Sequence, residues 1–144
     1  MSQLVVESPA FTRLCPAPGH GPRLPRSCGV AHCMELDAGL LIQRWTPQRL
    51  ITRADVLASY DAVRELSGGD LLPMVIHLRG LTGIAVDARD AILDCSLSAR
   101  IALIGVGPVD QVITAFTESA LCETRYFECA EAAEGWARAV GYED

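Results

Sequence analysis

Cys15, His20, Cys28, His32 and Cys33 crowd the first quarter of the sequence, and thiolates with imidazoles are the donors that hold zinc. Their spacing, Cys-x4-His followed by Cys-x3-His-Cys, contains no Cys-x2-Cys half-site and fits none of the common finger patterns. No metal is expected, and these residues read as part of a cysteine-bearing extension. Gly105-Val106-Gly107-Pro108 offers a second candidate, because a glycine-rich turn between a strand and a helix can point backbone N–H groups at phosphate. The third glycine of a GxGxxG loop falls at Asp110, whose carboxylate would repel phosphate while complementing the helix dipole. A structural turn is predicted there, with a neutral ligand as the sharper alternative.

His77 lies within the apolar run Met74-Val75-Ile76-His77-Leu78. As a general base it would need a nucleophile or a substrate polar group within reach, and no Ser-His-Asp, Cys-His or paired-carboxylate pattern supplies one. It reads as a core or strand-end histidine bonded to backbone. Cys95, Cys122 and Cys129 have no adjacent histidine or basic pair to lower a thiol pKa and read as packing. Arg79, Thr82, Asp87 and Arg89 flank the loop that follows the same strand, at the carboxyl end of a central strand, where open α/β sheets receive ligands and partners. With Gly105 and Gly107 on the neighbouring loop, they form the candidate binding surface.

Composition sets the frame for these residues. A chain of 144 residues has the size of one domain with one core. Its 50% apolar and 21% charged content falls within the range of globular proteins. The formal charge is -6, every basic residue is arginine, and no predicted face gathers those arginines, so nucleic acid is excluded as a partner. No basic n-region with an apolar h-region opens the chain, and no apolar run approaches the ~20 residues that cross a bilayer. A cytoplasmic protein without membrane insertion is expected, with all six cysteines as thiols.

Along the chain, residues 1–31 alternate proline and glycine without helical or strand period, which predicts a mobile extension. Met34 coincides with the start of regular patterning, so the natural start could lie there. Residues 32–144 form a single domain with no internal repeat. A hairpin is predicted from Cys33 to Trp45, turning at Asp37-Ala38-Gly39. Thr52 and Asp55 predict a capped helix with Val56, Tyr60, Val63 and Leu66 inward and Gly68-Gly69 as its stop. Met74–Leu78 and Ile101–Val106 predict doubly covered strands. Asp87 is expected to cap a second helix facing inward through Ala88, Ala91, Ile92 and Cys95. Pro108 opens a third, with Val109, Val112, Ile113, Phe116 and Ala120 as its inward stripe. A short strand at Arg125–Glu128 precedes a last helix facing inward through Ala132, Ala133, Trp136 and Val140. The order ββαβαβαβα predicts an α/β fold: a mostly parallel sheet of four to five strands with an antiparallel hairpin strand at its start and helices packed on it.

The strand end His77-Leu78-Arg79-Gly80-Leu81-Thr82-Gly83, the segment Arg100-Ile101-Ala102-Leu103-Ile104, and Arg125-Tyr126-Phe127 leading into Ala132-Ala133-Glu134-Gly135-Trp136-Ala137, in this order of elements, resemble the STAS-like (SpoIIAA-like) family of bacterial domains. That family includes anti-sigma-factor antagonists and shares a superfamily label with the lipid-carrying CRAL-TRIO proteins. The resemblance spans about residues 32–140 and rests mostly on core positions. It implies a regulatory or protein-interaction domain, not an enzyme, acting through a protein partner or a second copy of itself and needing no cofactor. In the antagonists an Asp-Ser pair at a helix start supplies a phosphorylatable hydroxyl. Ala85-Val86 stand at the corresponding place here, and Thr82 is the hydroxyl nearest to it. The superfamily relation implies a second reading, a small-molecule or lipid-binding module with a pocket between sheet and helix. An apolar cavity of several hundred cubic ångströms would favour that reading, and a filled interior with an exposed apolar patch the partner reading. A polar cleft converging on His77 would favour an enzyme.

Overall fold

A computed structural model describes residues 24–139. The hairpin is β2 (His32–Asp37) and β3 (Leu40–Trp45), antiparallel in register from His32 opposite Trp45 to Asp37 opposite Leu40. Ala38 and Gly39 turn it with φ of 48° and 82°, the left-handed pair that a two-residue hairpin turn requires. A further strand, β1 (Arg26–Cys28), pairs antiparallel with β2. It lies inside the segment expected to be a patternless extension, and three residues are too few to show a period. Residues 1–23, with Cys15 and His20, lie outside the described residues.

This pairing corrects the expectation that all six cysteines are thiols, since Cys28 and Cys33 are joined in a disulfide. The physical reason is register: the two stand directly opposite each other on β1 and β2, with Cα atoms 4.0 Å apart. Arg26 and Arg44 both bind the Glu35 carboxylate, at 2.7 and 3.2 Å, and lace the three strands together along one face.

After the two-residue strand β4 (Leu50–Ile51) comes α1 (Arg53–Ser67). Thr52 caps it as its sequence predicts, with the Asp55 N–H donating to the Thr52 hydroxyl and the Thr52 N–H donating to the Asp55 carboxylate. Burial alone would raise the Asp55 pKa, but the Arg49 guanidinium and the Thr52 N–H hold it below the usual value. Gly68, at φ 63°, ends the helix. The parallel strands follow: β5 (Leu72–His77), β7 (Ser98–Ile104) and β8 (Glu123–Phe127), with the short β6 (Gly83–Ile84) and α2 (Val86–Leu93) between the first two. The six-stranded sheet runs β1-β2-β3-β5-β7-β8, antiparallel through the hairpin and parallel beyond it, while β4 and β6 pair separately.

One face of the sheet packs on α1 and α2, burying Met34, Leu41, Trp45, Met74 and Leu103. The other packs on α4 (Ala130–Arg138), burying Leu40, Ile42, Val75, Ala102 and Ile104 against Ala133 and Ala137. The inward stripe of α4 is shifted from the expected one. Ala132 is exposed and Ala137 fully buried, because small residues four apart let the helix lie close on the sheet. Val140 lies outside the described residues. Arg100, nearly buried, donates to the Trp136 carbonyl at 2.8 Å and stacks its guanidinium 4.2 Å from the Trp136 ring. Arg138 donates to the Ala38 and Asp37 carbonyls and so ties α4 to the hairpin turn.

Candidate functional site

The loops at the carboxyl ends of β5 and β7 meet around one side chain. Gly107 and Pro108 open α3 (Pro108–Ile113) as expected, and Asp110 in its first turn is 1% exposed. Its Oδ2 accepts from the N–H of Gly80 at 3.1 Å and of Val106 at 3.0 Å, and its Oδ1 accepts from Leu81 N–H at 2.8 Å. A carboxylate thus occupies the position in which a loop-bound phosphate would lie, and the N–H groups that would cradle an anion are already satisfied. The sequence position pointed to repulsion of phosphate; the geometry goes further and supplies an internal substitute for it.

This anchoring turns part of the expected inward stripe of α3 outward. Val109 and Val112 were expected inward and are 62% and 74% exposed, and Val106 in the preceding loop is 75% exposed. A six-residue helix has room for one buried stripe, and the three hydrogen bonds of Asp110 claim it. Ile113 and Phe116 do pack against the core, Phe116 from a 3-10 turn at Ala115–Ser119 that replaces the expected helical continuation.

The six residues expected to bind fall into two groups. Gly105, Gly107 and Arg79 lie at the Asp110 junction. Gly105 is required by its surroundings, since a Cβ there would lie 2.6 and 2.7 Å from Tyr126 Cε1 and Cζ. The Tyr126 hydroxyl crosses over it to donate to the Gly107 carbonyl at 3.1 Å, and burial, with the Glu128 and Asp110 charges, raises its pKa. Gly107 has open space where a side chain would go, at an extended φ of 173°. Arg79 is exposed, adopts φ 62°, and accepts at its carbonyl from Gln48 N–H.

Thr82, Asp87 and Arg89 belong to the β6–α2 side. Thr82 is exposed and its N–H donates to the Arg49 carbonyl. Asp87 does not cap α2 as expected. The cap position is Ala85, without a side-chain bond, and Asp87 sits in the first turn, where its charge still favours the helix dipole. The Asp87 carbonyl accepts from Arg53. Arg89 donates to the Ile84 carbonyl at 3.2 Å and lies 5.6 Å from the Phe116 ring centre, joining α2 to the 3-10 turn.

His77 stands between Arg44 and Ile104 on the sheet face that α4 covers. Burial, together with the Arg44 and Arg79 charges, pushes its pKa down to about 4. Its neighbouring charges are thus both cationic, the opposite of the carboxylate that orients a catalytic imidazole.

Three residues that the sequence did not single out matter here. Asp110 appeared only as a flaw in a glycine motif, Tyr126 only within a segment that carries the family resemblance, and Gln43 not at all, although a glutamine inside Leu40-Leu41-Ile42-Gln43 is a polar interruption of a buried strand.

No family model matches the sequence, and no curated protein matches it. Among solved structures, an uncharacterised protein of the DUF3478 family with a SpoIIAA-like fold, from Shewanella loihica PV-4, superposes with a TM-score of 0.54 at 19% identity, over 83% of this chain and 99% of that one. The chain therefore has a SpoIIAA-like fold, with the mostly parallel sheet expected of it. Among the described residues, no helix is long and apolar enough to cross a membrane.

Proposed function

We propose that this chain is a non-catalytic interaction domain that receives a protein partner on the carboxyl edge of its parallel sheet, in a regulatory role. The observation that carries the reading is α3 with the loop before it, which buries the Asp110 carboxylate and presents Val106, Val109 and Val112 to solvent. Exposed apolar side chains gathered on one short segment mark contact surfaces. The patch borders Gly80, whose Cβ position would lie 3.7 Å from Val106 Cγ2, and so continues to the exposed Arg79. A partner that fits has an apolar segment flanked by acidic groups. The net charge of -6 disfavours a second copy of this chain in that place. The Asp110 carboxylate, lodged in the loop cradle, supports binding without phosphate chemistry at this edge, and Ala85-Val86 take the place of a phosphorylatable pair.

The test is affinity purification from the native host with the wild-type chain, with V109D/V112D, and with E134R on the opposite side of the molecule as a control. A defined partner retained by wild type and E134R and lost with V109D/V112D supports the reading. A partner retained equally by all three proteins sinks it, as does light scattering showing a wild-type dimer that V109D/V112D dissociates.

A further inference from the structure

Between the sheet and the layer of α1, α2 and the 3-10 turn lies a cavity of about 90 Å³, walled by side chains that include Trp45, Ile76 and Leu103. Its lining includes no arginine, aspartate or glutamate. The hydroxyls along it all have partners: Ser59 donates to the Val56 carbonyl, Tyr60 to Ala91, Thr114 to Asp110, Thr117 to Thr114 and Thr124 to Cys122, while Ser98 donates to the Met74 sulfur. One fully buried side-chain donor of the lining has no partner. Gln43 is 1% exposed, and its Nε2 is buried without a hydrogen-bond partner. An amide donor left in that state costs about 1–3 kcal/mol, a cost that a native fold normally avoids by supplying an acceptor.

We infer that the cavity is a binding site for a small, uncharged, apolar molecule bearing one carbonyl oxygen, which accepts a hydrogen bond from Gln43 Nε2 while its hydrocarbon part meets the aliphatic wall. Size follows from volume. A cavity of roughly 150 Å³ holds the six carbons of benzene, so this one encloses about four non-hydrogen atoms, with anything longer extending through the mouth. Charge follows from the lining. A carboxylate would lose its hydration without gaining a cationic partner, whereas a ketone or ester carbonyl needs one donor and finds one. The site is independent of the valine surface on α3.

The probes are 2-butanone, its hydrocarbon isostere 2-methylbutane and its anionic isostere propanoate, titrated into isotope-labelled protein and followed by NMR. Expected are shifts of the Gln43 side-chain amide protons with 2-butanone, and affinity for 2-butanone above both isosteres. In Q43L, which replaces the amide by a branched hydrocarbon and removes the donor, 2-butanone should bind about three- to ten-fold more weakly while 2-methylbutane binds at least as well as before. Equal affinity for ketone and hydrocarbon, preference for propanoate, or a Gln43 amide unmoved by 2-butanone overturns the inference. Those wild-type readouts stand even if Q43L does not fold.

Discussion

Replacing Asp110 by alanine leaves the N–H groups of Gly80, Leu81 and Val106 without their acceptor. A hydrogen bond to a charged group contributes about 1.5–3 kcal/mol, but three bonds to one carboxylate do not add fully. The side chain is also buried, so water reaches the vacancy only in part. A loss of about 3–5 kcal/mol is expected, at the upper end of single substitutions. Asparagine separates shape from charge. With its oxygen at the Oδ2 position it serves Gly80 and Val106, but its NH2 then faces the Leu81 N–H, donor against donor. Asp110→Asn should therefore cost about 2–3 kcal/mol, less than alanine. Urea unfolding at neutral pH measures both, and amide proton shifts of Gly80, Leu81 and Val106 report the bonds directly. Formate supplies a carboxylate in trans and should restore part of the stability of the alanine variant while leaving wild type unchanged. An alanine variant that loses less than about 1 kcal/mol, or that responds to formate no more than wild type does, would refute the account of the loop cradle.

Gly105→Ala should destabilise by about 1–3 kcal/mol through overlap with the Tyr126 ring, and calorimetry of G105A, Y126L and the double variant should show the second change relieving the first. His77 makes stability depend on pH. Its folded pKa of about 4 lies below the unfolded value of 6.5, so below pH 6.5 the unfolded chain takes up a proton that the folded one refuses. The stability present above pH 6.5 falls as pH drops towards 4, by about 1–2 kcal/mol once solvent screening of this half-buried ring is allowed for. His32, lowered by burial, acts in the same direction. Urea midpoints measured across this window should fall less steeply in His77→Gln, and parallel profiles would remove His77 from the explanation. Hydrogen bonding from Cys122, stronger than the opposing effect of burial, lowers Cys95 to about 6, while Cys122 is raised. Iodoacetamide at neutral pH should label Cys95 ahead of Cys122, and label Cys28 and Cys33 only after reduction, as peptide mass spectrometry can follow.

Periodicity was enough to find the elements that obey local rules. Thr52 and Asp55 announce α1, Gly68 ends it, and the apolar runs at Met74 and Ile101 are the central strands. The candidate site was legible only as a place, the carboxyl edge of the sheet. Its working parts depend on contacts between distant segments: Asp110 with Gly80 and Leu81, Gly105 with Tyr126, Gln43 with the cavity. The valine stripe of α3 was misassigned for the same reason. Hydrophobic spacing identifies a face without saying which face wins when a buried carboxylate can satisfy three loop amides. The expectation of six thiols rested on the missing secretory pattern, which could not reveal that Cys28 and Cys33 stand opposite each other, because that depends on where β1 pairs. Fold similarity at 19% identity supplies the topology and leaves these choices to this chain's own residues.

The clasp between Arg138 and Ala38 joins groups 100 positions apart, and α4, which carries it, is the only described helix on its face of the sheet. While the chain is being synthesised, the hairpin, β5 and β7 all emerge before anything exists to cover Leu40, Ile42, Val75, Ala102 and Ile104. A ribosome-bound chain halted before residue 130 should therefore hold a paired sheet with one oily face bare, the kind of surface that recruits chaperones and seeds aggregation. Completion of the fold waits on its last helix, and a codon-level pause just upstream of that helix would prolong the chain's most vulnerable interval.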